Sequence, residues 1–299
     1  MRLEKKATVV SSSVATVLML LKLTVGILSG SVAILASAID SLLDFTVSLF
    51  NYFALHKAEQ NPNDKFHFGK SKLEPLAAVI EGTIISISAL FILYQAIQKI
   101  THQQPVLMLQ ESIGVMIASI IITAGLVWFL NFVAKKTNNM VIKADALHYK
   151  TDLYTNSAVL VAIAIIYITG FELVDPILGI LISFYMIYSA YPIVKEGTLM
   201  LLDIAIEDNE IKMIEEILEN DKEINGYHYL KTRAAGSNVF ISVHIVLTPE
   251  MKLYDAHLIG DKIEEKIREA FEKLEKKAHV LIHLDPYDDA EMNVEEDFF

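Results

Sequence analysis

The sequence predicts a membrane bundle of six α-helices followed by a small cytoplasmic α+β domain. Three observations predict it. Six apolar stretches before about residue 202 are each long enough to cross a hydrocarbon core about 30 Å thick. The roughly one hundred residues that follow switch to amphipathic helical and alternating strand patterns. A mean hydropathy of +0.42, with 53% hydrophobic residues, is too high for an ordinary soluble protein of 299 residues.

The spans run from Ala7 to Ser29, Val32 to Lys57, Leu73 to Ile100, Glu111 to Lys135, Met140 to Ile168 and Asp175 to Leu201. The fifth carries Lys143, Asp145, His148 and Asp152, and it counts as a span because a bundle interior can hold that polar face. Asp175-Pro176 reads as an N-cap followed by proline in the first helical turn. Gly26 and Gly30 have the spacing of close helix packing near a turn. The basic start MRLEKK is not followed by a small-residue cleavage site, so a cleaved signal peptide is not expected. Arg2, Lys5, Lys6, Lys57, Lys65, Lys70, Lys72, Lys135, Lys136 and Lys143 fall on one side of the bundle. The other side holds Lys99 and the acidic Glu172 and Asp175. The positive-inside rule puts both termini in the cytoplasm.

From Ile204 the pattern changes. DNEIKMIEEILEND reads as a helix with Ile211, Ile214, Ile217 and Leu218 on one face. YHYLKTRAA and NVFISVHIVL read as alternating strands joined at Gly236-Ser237-Asn238. A long charged helix, LYDAHLIGDKIEEKIREAFEKLEKK, and a last strand, HVLIHLDP, complete an α-β-β-α-β order, ferredoxin-like in kind. Three segments result: a transmembrane domain over 1–203, a cytoplasmic domain over 204–287 and an acidic ending over 288–299 whose composition reads as disordered.

Charge and cysteine content exclude several functions. The net charge of −12 lies almost wholly after Asp203, where acidic residues outnumber basic ones about two to one. Such a domain is unsuited to nucleic acid or to clamping an anionic leaflet. The chain has no cysteine, so neither a disulfide framework nor thiolate metal ligation is available.

The residues that carry chemistry lie inside the spans. Asp40 and Asp44, and likewise His148 and Asp152, are four apart, so each pair projects from one helix face about 6 Å apart along the axis. Two such helices face to face offer three carboxylates and one imidazole, a tetrahedral set for a divalent first-row metal. Ionisable groups cost about 2.5–3.5 kcal/mol each at the centre of a span on insertion scales. An ion pair of Asp40 or Asp44 with Lys22 is the structural alternative, but it leaves His148 and Asp152 without a reason. Metal binding demands deprotonated ligands and so opposes proton binding. His148 is the natural proton carrier, because an unperturbed imidazole titrates near pH about 6.5.

The motifs SAIDSLLD on the second helix, ADALHYKTD on the fifth and the closing HLDP together resemble those of the cation diffusion facilitator family, in its YiiP-type zinc and ferrous-iron efflux branch. The likeness runs along the chain to about Pro286. It implies a homodimeric antiporter that moves a divalent metal outward in exchange for protons, with Asp40, Asp44, His148 and Asp152 as the transport site. It also implies metal ligands at His228, His244, His257, His283 and Asp285 in the cytoplasmic domain. Alternation along a strand puts His283 and Asp285 on one face, and a carboxylate such as Asp285 can bridge two metals. His279 matches no family ligand and reads as a surface residue, and His56 and His102 read as interfacial. In the loop NPNDKFHFGKSKLEP, Asp64 and His67 fall near family ligand positions. Lys70 takes the place of a second histidine there, and a cation cannot coordinate another cation. Lys72 matches a family lysine that pairs with an acid after the sixth helix, the role open to Asp203.

Three oxygens and one nitrogen rank Zn(2+) first and Fe(II) second, with membrane lipid and protons as the other partners. The rival is a membrane metal sensor or metalloprotein that transports nothing. No His-Glu-x-x-His helix is present for an intramembrane protease, and tight tetrahedral ligation is unsuited to a channel. No enzymatic activity is expected.

Overall fold

A computed structural model of the chain describes residues 3–29, 32–102, 110–171 and 173–288. Arg2, Gly30, Glu172, the side chain of His102 and the acidic ending from residue 289, all used above, lie outside the described residues. The chain divides into two compact units between Thr198 and Leu199.

The first unit is built from α1 (Leu3–Ser29), α2 (Val32–Ala58), α3 (Leu73–His102), α4 (Gln110–Thr137), α5 (Met140–Thr169) and α6 (Val174–Leu201). All six are long and apolar enough to cross a membrane, the fifth included. Side-chain contacts at their ends show that they alternate in direction. Lys5 near the start of α1 meets His56 near the end of α2, with Nζ 2.6 Å from Nδ1. Asn139, before α5, donates to Glu74 in the first turn of α3 at 3.0 Å. At the opposite end Lys99 of α3 pairs with Asp175 of α6 at 2.5 Å. The basic residues Lys5, Lys57, Lys135, Lys136 and Lys143 therefore gather at one end of the bundle.

Local chemistry sets the joints. Asn139 caps α5, accepting from the backbone N–H groups of Val141 and Ile142 at 3.0 and 3.2 Å. Gly170 ends the same helix in the left-handed region, at φ +70°. The expected N-cap at Asp175 is corrected: α6 starts one residue earlier, at Val174. Asp175 stands in its first turn, where a carboxylate complements the helix dipole and here also ties down Lys99. α3 and α6 approach so closely that a Cβ at Gly197 would lie 2.6 Å from Val79 Cγ2 and 3.0 Å from the Pro75 carbonyl. The interior is packed with Leu130, Val133, Val141, Ile142 and Tyr149, whereas Trp128, Phe91, Leu181 and Tyr188 stand outward and exposed. An apolar exterior of this extent fits lipid as solvent, where helices satisfy their own backbone groups.

The second unit orders α7 (Asp208–Glu219), β1 (Gly226–Ala235), β2 (Asn238–Val246), α8 (Leu253–Glu272) and β3 (Lys277–Asp285), the expected α-β-β-α-β sequence. The sheet runs β1-β2-β3, with β1 and β2 antiparallel and β2 and β3 parallel. A parallel pair needs a crossover, and α8 supplies it. One face of β2 (Val239, Ile241, Val243, Ile245) packs on Ile214 and Leu218 of α7 and on Ile259, Ile263, Ile267 and Phe271 of α8. The helices thus cover a single face. The other face carries the histidines.

Candidate metal centres

The i, i+4 spacing on α2 and α5 brings together three of the four expected ligands. Asp44 Oδ1 lies 3.2 Å from His148 Nε2 across the two helices, and Asp152 Oδ2 lies 3.6 Å from the same nitrogen. Ligand atoms of Asp44, His148 and Asp152 all fall within 4.8 Å of one another. That clustering brings together two carboxylates and an imidazole, the borderline N/O donor set of a divalent first-row metal. Asp40 does not join this group of three and is exposed, one turn along α2 from Asp44 on the same face. Lys22, the alternative partner for these carboxylates, is buried and donates to Ser41 Oγ at 2.8 Å.

The second centre is built by register. His228, His244 and His283 stand on one cross-strand row, because His228 pairs with His244 on β1/β2 and His244 with His283 on β2/β3. Asp285, two residues beyond His283 and on its face, is buried beneath them. One carboxylate oxygen lies 3.0 Å from His244 Nδ1 and 3.3 Å from His228 Nε2, and the other lies 3.1 Å from His283 Nε2. His228, His244 and Asp285 offer ligand atoms within 4.8 Å of one another. β1 bulges just after His228, and Tyr229 there takes φ +51°. His257 stands apart: it is exposed on α8, with Asp261 Oδ1 3.3 Å from its Nδ1. His279 is stacked on Phe240 with ring centroids 4.8 Å apart, and burial, then Lys277 and Arg268, pushes its pKa down. That environment suits a packed histidine and not a ligand.

The family model for the cation efflux transmembrane domain matches residues 8–202, and that for the cation efflux protein cytoplasmic domain matches 206–287. The chain belongs to the cation diffusion facilitator family. It is 34% identical to the cation-efflux pump FieF of Salmonella choleraesuis over 95% of this chain and 93% of that protein. It is 35% identical to Protein p34 of Rickettsia rickettsii over 96% of this chain and 93% of that protein. FieF of Salmonella typhimurium matches at 34% identity over the same shares as the first. The chain is therefore an integral membrane cation efflux transporter, not an enzyme.

Within this cation diffusion facilitator, the loop between α2 and α3 is less site-like. His67 Nε2 faces the backbone carbonyl of Asp64 at 3.1 Å, and both residues are exposed. Asn63 organises the turn by accepting from the N–H groups of Lys65 and Phe66, and Lys70 lies over the Phe66 ring. Among the described residues, no group of three ligands forms at Asp64 and His67. Asp203 accepts from Arg233 Nη1 at 3.0 Å inside the second unit.

Sequence reasoning did not connect Asp145, named above on the fifth span, with two further polar groups of the bundle. Asn51 of α2, Glu81 of α3 and Asp145 of α5 are almost wholly buried, and Asn51 Nδ2 donates to Glu81 Oε2 at 2.9 Å. Ser48 and Tyr149 hydrogen-bond at 2.7 Å along the same seam. A signal for Glu81 was available: it is a carboxylate inside the apolar run AAVIEGTIIS. It was overlooked because it belongs to no i, i+4 pair. Asp288, beyond the last strand, also reaches the cytoplasmic cluster, 3.7 Å from His228 Nδ1.

Proposed function

We propose that the chain exports a divalent metal from the cytoplasm by metal/proton antiport, with Zn(2+) the preferred cargo and Fe(II) next. The observation that carries this reading is the convergence of Asp44, His148 and Asp152 from two spans to within 4.8 Å. Asp40, one turn away on the ligand-bearing face, would complete the tetrahedral set when α2 and α5 adjust around a metal. The cargo would reach the quartet from the cytoplasm, the bundle would rock, and protons taking the ligand positions on the far side would release the ion. Export fits the name of the FieF relatives, cation-efflux pump.

The remaining assignments follow from the same reading. Gathering of basic residues at one bundle end supports cytoplasmic termini in an inner (plasma) membrane. The His228, His244, His283 and Asp285 row would hold cytoplasmic metal, with His257 joining only after a rearrangement of α8. The chain would work as a homodimer, with the transmembrane domain ending near residue 203 and the cytoplasmic domain spanning 204–287. Lys72 and Asp203 would form a charge pair in that dimer.

The test is transport into proteoliposomes carrying an entrapped metal indicator, with and without an imposed pH gradient, for Zn, Fe(II) and Mn in turn. We expect Zn flux driven by the gradient and accompanied by opposite proton movement. Metal flux indifferent to the gradient, with no coupled proton movement, would overturn antiport, and the absence of any flux would favour a non-transporting metal sensor.

A further inference from the structure

We infer that Asn51, Glu81 and Asp145 form a second, oxygen-only cation site inside the bundle, separate from the Asp44, His148 and Asp152 group. All three side chains are at most 1% exposed. Asn51 Nδ2 is used on Glu81 Oε2, which leaves Asn51 Oδ1 and Glu81 Oε1 with no hydrogen-bond partner. Both carboxylate oxygens of Asp145 are likewise without a partner. Ser11, beside Asp145, directs its hydroxyl to the Thr8 carbonyl at 3.1 Å. The cluster thus holds four acceptor oxygens without a hydrogen-bond partner, more than the second N–H of the Asn51 amide and the Ser11 hydroxyl beside them can satisfy. Buried acceptors without partners are rare in folded proteins, and each costs roughly 1–3 kcal/mol. A divalent cation satisfies several of them together and also neutralises the two carboxylates.

Chemistry and position define the occupant. Amide and carboxylate oxygens without nitrogen or sulfur select a hard divalent cation of the Mn(II) or Mg(II) kind over one that prefers imidazole. The site lies on the same seam as the transport group. Asn51 follows Asp44 by seven residues on α2 and Asp145 precedes Asp152 by seven on α5, each about 10 Å along its axis. The shift is toward the basic end of the bundle, where α2 ends and α3 and α5 begin. Between the two sites stands the Ser48–Tyr149 hydrogen bond, and a cation passing from one site to the other has to go by it. Resting on the export reading, the site lies beside the path by which cargo reaches the quartet, and its hard-cation preference sets it apart from the Zn-preferring quartet. The binding itself stands without that reading.

The test counts Mn(II) bound to the purified full-length chain in lipid nanodiscs, by equilibrium dialysis and by the loss of the free Mn(II) spin resonance signal. The background carries Asp44→Asn, Asp152→Asn and Asp285→Asn, which disable the two other centres. That chain should still bind a single Mn(II), and adding Glu81→Gln with Asp145→Asn should abolish it. Glu81→Gln alone should weaken it at least tenfold, about the loss seen when a metal site is deprived of a supporting group, which keeps the test open if the combined variant does not fold. Thermal stabilisation by Mn(II) should disappear in parallel. A background chain that binds no Mn(II), or a count and affinity unchanged by Glu81→Gln, overturns the site. Loss of flux in Asp44→Asn is read in a different chain and assay, so failure of the export reading is distinguishable from failure of this one.

Discussion

Replacing Asp44 with asparagine separates ligation from folding at the transport site. The amide keeps the shape of the carboxylate and one acceptor oxygen, but it removes the charge that faces His148 Nε2 at 3.2 Å. Loss of a supporting group behind a metal ligand typically costs 10–100-fold in affinity, and under the proposed function Asp44 would be a ligand itself. We therefore expect at least about a 100-fold loss, equivalent to about 2.7 kcal/mol of cargo binding. Stability should move much less. Turning a charge-assisted contact between α2 and α5 into a neutral one loses about 1 kcal/mol. Against that, uncharging a carboxylate in the middle of a span relieves up to about 2.5–3.5 kcal/mol, less here because the Asp44 side chain is 23% exposed. The two effects oppose each other, so the metal-free variant should unfold within about 2 kcal/mol of the parent. Flux in proteoliposomes and thermal unfolding in detergent are the paired measurements. Wild-type concentration dependence of Zn flux in Asp44→Asn would refute the ligand assignment. Collapse of the fold would refute the reasoning about burial.

His148→Asp makes the site all-oxygen and should lower the Zn:Mn flux ratio by about tenfold or more, since imidazole suits Zn better than Mn; a ratio unchanged in competition assays would remove His148 from the ligand set. The second unit has its own core, and its fragment over residues 207–286 should bind Zn by calorimetry, with metal tightening its self-association in scattering. Asp285→Asn should lower that affinity at least tenfold, because both Asp285 oxygens face histidines, and equal isotherms would refute the assignment. In the same unit, the hydrogen bond from Lys266 to Asp221, at 2.7 Å, holds the Asp221 pKa below 3.8 despite opposing burial. Its stabilisation should be complete above pH 3.8 and be lost as pH falls through the lower folded value. Asp221→Asn should cost about 1 kcal/mol at pH 7, discounted because Lys266 is 44% exposed, and should flatten urea-unfolding stability between about pH 5 and 2.

What the sequence disclosed depended on how far each feature reaches along the chain. Spans such as Leu73–His102 and the i, i+4 pair His148/Asp152 are local, and local periodicity revealed both. The cytoplasmic row was harder to read. His228, His244 and His283 are far apart in sequence, and only the strand register, antiparallel across β1/β2 and parallel across β2/β3, brings them into line. Spacing alone fixes no such register; here the family resemblance supplied the residues, and the structure shows why three of the histidines meet while His257 does not. The end of α8 was misread for a related reason. LEKK continues a helical charge pattern, but the helix stops at Glu272, and Glu275 turns with φ +58° so that β3 can begin at Lys277. Tertiary pairing with β2 outweighs a helix propensity worth only a few tenths of a kcal/mol per residue. Glu81 and Asp145 illustrate the opposite limit. Each is visible as a charge in an apolar run, yet their association requires α3 and α5 to pack side by side, with Asn51 of α2 bonded to Glu81. A lone intramembrane carboxylate marks a functional position even before its partner is known, because nothing in the surrounding apolar packing would compensate its burial.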